Sequence, residues 1–197
     1  MRLLLAAVLT AAVGGAASAA PLFSDNFGTG GAILNWNGGA NWNVSAGTVD
    51  LIGDGTGFQY LPVGNGRYVD LDGTSNNAGV FSTDMTFGPG TYLVGFSLAG
   101  SQVGGSSTET VTISLGNWST TISNIPSGQP LTNYSFLATT TTSGSLSFSN
   151  AGGDNIGALL DNVSVSATPE PVSLLVFGGL VAGGGWLARR RMKAAVA

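Results

Sequence analysis

The chain has 197 residues, a net charge of −4, 43% hydrophobic residues, only 8% charged residues, and 32 glycines. Its charged fraction is far below the roughly 25% of an average soluble domain, yet its apolar content is enough for one packed core, which a disordered polar chain lacks. With 0 Cys and 0 His, disulfides, thiolate or imidazole zinc sites and histidine-activated nucleophiles are excluded.

The first segment, MRLLLAAVLTAAVGGAASAAP, carries Arg2, an apolar run from Leu3 to Val13, and small residues at Ala17 and Ala19. This three-part pattern predicts a signal helix and a signal peptide over residues 1–19, cut after Ala19 by signal peptidase. The run is shorter than the roughly 20 residues a membrane span needs, which argues against a permanent anchor.

From Phe23 to Ser166 short runs alternate with turn signals about every ten residues. NWNVSAG and TVDLIG open the series. In GRYVDLDG, Val69 and Leu71 point one way while Tyr68, Asp70 and Asp72 point the other, which predicts a solvated acidic face ending in a Gly turn. AGVFSTDMTF follows, and then TYLVGFSLAG, which places Tyr92, Val94, Phe96 and Leu98 on one face. TETVTISLG does the same with Val111, Ile113 and Leu115, and NWSTTIS, YSFLATT, GSLSFSN and GALLDNVSVS complete the set. The pattern predicts an all-β domain over residues 20–166, two antiparallel sheets packed as a β-sandwich, with a closed barrel as the structural rival. No fixed-period repeat occurs, and the echo of LNWNGG in ANWNVS makes Trp36 and Trp42 either core plugs or a binding platform.

Arg67 is the one cation between the signal and the tail, against Asp25, Asp50, Asp54, Asp70, Asp72, Asp84, Glu109, Asp154 and Asp161. An acidic surface repels phosphate, which excludes nucleic acid as a partner. It suits Ca2+, which takes carboxylate and carbonyl oxygens. The Asn-X-Ser tripeptides at Asn43, Asn117, Asn133 and Asn162 are expected by chance in a chain this rich in Asn and Ser.

After Ser166, Pro169 and Pro171 bracket Glu170 and impose an extended linker over 167–171. Residues 172–188 carry no charge and form a short candidate transmembrane helix; Arg189, Arg190, Arg191 and Lys193 open a basic tail over 189–197. The positive-inside rule keeps that tail cytoplasmic and leaves the β domain outside. Gly179 and Gly183 form a Gly-x-x-x-Gly pair that could bring two membrane helices together, although glycines also weaken the span.

The series LFSDNFGTG, NWNVSAGTVDLIG, GNGRYVDLDGTS, FGPGTYLVGFSLAG and IGALLDNVSVS, in this order, resembles the galactose-binding-like jelly-roll domains, nearest the exported branch related to DUF642 and the family 4 carbohydrate-binding modules. That resemblance implies a structural Ca2+ held by one acidic residue from each end of the domain, here Asp25 and Asp161. Read as residues alone, each stands before an Asn, a common turn pair, so turn chemistry is the competing account. The resemblance also admits glycan binding. Sugars stack on flat aromatic faces and bond to nearby polar groups, and Trp36, Trp42, Arg67 and Tyr68 are the candidates, with Tyr60, Trp118 and Tyr134 also available.

TPEPVSLLVFGGLVAGGGWLARRR resembles the PEP-CTERM sorting signal of Gram-negative bacteria. It implies that an exosortase recognises Pro169, Glu170 and Pro171, with Arg189, Arg190 and Arg191 as the basic stop. An inner-membrane-tethered precursor would then be cut and passed to the cell surface or the extracellular matrix. The expected function is that of a non-enzymatic exported protein that binds or embeds in extracellular polysaccharide. A purely structural adhesion protein is the alternative, and a glycoside-cleaving enzyme using Asp70, Asp72 or Glu109 is the third reading.

Overall fold

The computed structural model describes residues 20–103 and 108–168. The expected signal peptide over 1–19, Pro169–Pro171, the apolar run over 172–188 and the arginine cluster lie outside the described residues.

Thirteen strands form among the described residues: β1 (Phe23–Asp25), β2 (Ile33–Trp36), β3 (Gly38–Gly39), β4 (Trp42–Ser45), β5 (Val49–Gly53), β6 (Arg67–Asp70), β7 (Val80–Phe87), β8 (Gly90–Ala99), β9 (Thr108–Leu115), β10 (Trp118–Pro126), β11 (Thr132–Thr140), β12 (Gly144–Asn150) and β13 (Leu159–Ala167). The first sheet runs β11-β8-β13-β6-β5-β2, with β1 added along β13. The second runs β10-β9-β12-β7-β4-β3. All strand pairs are antiparallel, and the isolated Thr48–Ala78 bridge is parallel. Among the described residues no strand ladder joins the sheets, so the closed barrel gives way to two layers.

The layers meet where alternation puts apolar side chains. In β9, Val111, Ile113 and Leu115 are buried while Thr108 and Thr112 are exposed. In β8, Val94, Phe96 and Leu98 face the same interior. Phe96 meets Phe148 of the opposite sheet edge-on, with centroids 5.2 Å apart. A second, smaller cluster of Ile52, Leu61, Tyr68, Ala99 and Leu159 lies apart from the main core. The β5–β6 loop contributes Leu61 to it and is closed by Asp54, whose Oδ2 accepts N–H bonds from Gly64 (2.6 Å) and Gly66 (3.1 Å).

This covering corrects one expectation. Val69 and Leu71 do enter the main core, but the opposite face of β6 is not solvated. Tyr68 is enclosed, Asp70 is 8% exposed, and Asp72 has no exposed surface. The β5–β6 loop covers Tyr68, and the loop after β12 covers the carboxylates: Gly153 and Asp154 donate N–H bonds to Asp72 Oδ2, and Gly157 lies so close to Asp70 and Asp72 that a side chain there would strike them.

Candidate functional site

The loop after β1 is built on Asp25. Its Oδ1 accepts the Phe27 N–H (2.8 Å), an Asx turn, while Oδ2 accepts the Trp42 indole N–H (2.8 Å). Phe27 then adopts φ 55°, a conformation that a bulky residue holds only under constraint. The constraint is packing: its ring lies 5.7 Å from Trp42 and 6.0 Å from Phe81. Arg67 clasps the rest of the loop. Its N–H donates to Gly28 O (2.9 Å), Nε to Phe27 O (3.1 Å) and Nη1 to Gly31 O (3.4 Å). Gly30, at φ 148°, passes close over the guanidinium, where a Cβ would stand 3.0 Å from Nη1.

Beside this loop opens a shallow cleft of about 500 Å3 that brings together Asp25, Asn26, Ile33, Trp36, Asn41, Trp42 and Arg67. Of the expected sugar-binding residues, Trp36 and Arg67 are both half-buried and share it. Trp36 rests on Phe81 at 5.6 Å, and Gly39, Ala40 and Asn41 beside it are exposed. Ile33, 44% exposed, also lines the cleft and was not foreseen; the short apolar run Ala32-Ile33-Leu34 does not say in sequence which of its members faces a cleft.

Trp42 and Tyr68 are placed differently. Trp42 is 3% exposed and stacks on Phe81 at 4.1 Å, with Phe23 edge-on at 5.3 Å. It is therefore a core plug that only edges the cleft. Tyr68 lies in the smaller cluster, and its hydroxyl accepts the N–H groups of Tyr60 (2.7 Å) and Leu61 (3.1 Å). Burial raises its pKa, and no ring face is left for a ligand.

Asp25 and Asp161 come from neighbouring strands, since Asp25 pairs with Val163 in the β1–β13 ladder. Asp161 Oδ1 accepts the adjacent Asn162 N–H at 2.6 Å. Burial, and secondarily the charge of Asp25, raise its pKa to about 6. The pair offers two carboxylates with three of their oxygens already holding N–H donors. Ca2+ takes six to eight oxygens, and among the described residues no group of three acidic side chains has metal-holding geometry. Both carboxylates make the short-range backbone N–H bonds that the turn account expects.

Asp50, Asp72 and Glu109 are drawn together around Asp70 at the other end of β6. Asp50 stands opposite Asp70 in the β5–β6 ladder and accepts bonds from Asn35 N (2.6 Å) and from the Thr74 hydroxyl (2.6 Å). Burial, with Asp50, Asp72 and Glu109 adding repulsion, pushes Asp70 up to about 8. Glu109 is raised mainly by burial.

No family model matches the chain, and no curated protein does. Similar solved structures include the CBM22-1 xylan-binding domain of a Paenibacillus barcinonensis protein, at 13% identity and TM-score 0.48, covering 80% of this chain and 100% of that one. Another is an exo-β-1,3-galactanase from Phanerochaete chrysosporium, at 18% identity and TM-score 0.41, covering 68% of this chain and 29% of that one. The C-terminal CBM6 of a marine laminarinase from Zobellia galactanivorans matches at 14% identity and TM-score 0.34, covering 76% of this chain and 95% of that one.

Proposed function

We propose that this is an exported, non-enzymatic β-sandwich of jelly-roll type that binds extracellular polysaccharide through the cleft beside the β1–β2 loop. The observation that carries the reading is the meeting of Trp36 and Arg67 in one open cleft. An indole face can stack on a sugar ring, a guanidinium can donate to hydroxyls or a uronic carboxylate, and Asn26 and Asn41 offer amide groups at the rim. Non-enzymatic action is supported by the enclosure of Asp72 and by the hydrogen bond from Asn150 to Glu109. A hydrolytic pair would have to stand on either side of a bound sugar.

A glycan array probed with the full chain, with and without Ca2+, tests this. Trp36→Ala and Arg67→Ala are each expected to weaken binding about tenfold, the equivalent of about 1.4 kcal/mol. Absence of binding by the wild type, or unchanged binding by both variants, removes the cleft from the proposal.

The export route rests on the two ends of the sequence. Replacing Pro169, Glu170 and Pro171 with Ala is expected to leave the 172–197 tail attached in the cell that makes the protein. Intact-mass measurement of the membrane and surface fractions checks this, and a wild type that keeps residues 172–197, or a variant that loses them, would sink the sorting assignment.

The adhesion reading without a small ligand has its own observation. One row of polar side chains, Ser119, Ser114, Ser147, Ser82 and Asn43, crosses five adjacent strands of the second sheet in register. Such a flat, uncharged row suits broad contact with hydrated matrix. It predicts binding to bulk polymer that survives loss of Trp36.

A further inference from the structure

The β9 start, the β12 end and the loop after β12 enclose a polar group that no part of the proposed cleft uses. Asp72 has no exposed surface, Glu109 is 4% exposed and Asn150 is 5% exposed. Asp72 Oδ2 accepts the N–H groups of Gly153 (2.7 Å) and Asp154 (3.2 Å), but its Oδ1 has no partner among the described residues. Asn150 donates through Nδ2 to Glu109 Oε2 (3.1 Å), and its Oδ1 likewise has no partner among the described residues. Both side chains press on Gly152: a Cβ there would lie 2.8 Å from Asn150 Nδ2 and closer still to Asp72 Oδ2. Glu109 and the Ala151–Asp154 segment line a small cleft of about 250 Å3 that opens beside them.

Both orphaned atoms are acceptors, and the carboxylates around them add negative charge with no cation in contact among the described residues. Burying an unpaired carboxylate is costly unless something positive or strongly donating meets it. One further feature suits a metal ion: the unpaired oxygens are a carboxylate and an amide carbonyl, both donor types that such ions take. Because three acidic side chains do not already converge at metal distance among the described residues, carbonyl oxygens must complete the set.

We propose that Asp72, Glu109, Asn150 and the 151–154 loop form a binding site for a hard divalent cation of the Ca2+ class, separate from the Asp25–Asp161 pair. The ion would tie β6, β9 and the loop before β13 together, locking the end of the sandwich remote in sequence from the β1–β2 cleft. It binds the native chain alone, because these oxygens come from positions 72, 109 and 150–154, which meet only on folding.

Thermal unfolding of the full chain in chelator and in excess Ca2+ tests the site. The midpoint is expected to rise by about 5 °C or more with Ca2+. Asp72→Asn and Glu109→Gln should abolish the rise, while Asp161→Asn should keep it. Asp72→Asn retains an acceptor for Gly153 and Asp154 and removes a buried charge, so in chelator it should melt at or above the wild-type midpoint. That separates loss of the ion from loss of the fold. A wild type with no shift, a shift kept by either cluster variant, or a shift lost in Asp161→Asn overturns the site.

Discussion

In the presence of a chelator, raising the pH from about 4 to about 9 is expected to destabilise the folded protein by about 5 kcal/mol through Asp70 alone. Burial and the neighbouring acids raise this carboxyl from 3.8 to about 8. Its folded-state pKa lies above the unfolded one, so the native state holds its proton more tightly. The contribution is complete below the unfolded value and is lost as pH rises through the folded value. Asp161, raised to about 6, adds loss of the same sign over the lower part of that range, and Glu109, also raised, acts in the same direction. Asp70→Asn keeps an acceptor for the Asp72 N–H and cannot ionise. It should flatten the profile and be more stable than the wild type at pH 9. Urea denaturation at several pH values measures both effects, and a wild-type stability that rises steadily from pH 4 to 9 would contradict the assignment.

The second large effect is at Trp42. Trp42→Ala is expected to cost about 3–5 kcal/mol, the range for deleting a large buried aromatic. The ring is stacked on Phe81, edge-on to Phe23 and against Phe27, so its removal opens a cavity between the two sheets. It also leaves Asp25 Oδ2 without its indole donor and takes away part of the packing that holds Phe27 at φ 55°. Calorimetry should show a midpoint about 10 °C lower. A drop of only 1–2 °C would mean that Trp42 is not the plug it looks to be. Comparison with Trp36→Ala is informative, because Trp36 rests on the same Phe81 but is half exposed.

Much of the strand content was legible. Where a strand has one face on the main core, the period-2 pattern named the right residues: Val94, Phe96 and Leu98 in β8, and Val111, Ile113 and Leu115 in β9. The short strands β2 and β3 were not legible. β2 is four residues and β3 two, set among Gly and Asn, too short for a period to show, and their pairing with β5 and β4 is set by those partners. The cleft was legible in part. The sequence put forward Trp36 and Arg67 on chemical grounds, and the fold brings them together. It could not rank Trp36 against Trp42, because both indoles sit in near-identical Asn-Trp-Asn contexts and the difference is which one lies between the sheets.

What the sequence determined by itself is the class of structure and the chemistry available to it. Alternation every two residues is a local property and predicts paired sheets wherever it occurs, and missing residue types exclude their chemistry in any fold. What only the tertiary structure decided is the fate of the faces turned away from the main core. Tyr68, Asp70 and Asp72 alternate as an outward face should, yet the β5–β6 and β12–β13 loops fold over them. Loops carry no period, and their closure depends on residues up to 82 positions apart, as in the bond from Asp154 to Asp72. Asp70, written in an exposed register, was thereby turned into a buried carboxyl with a raised pKa.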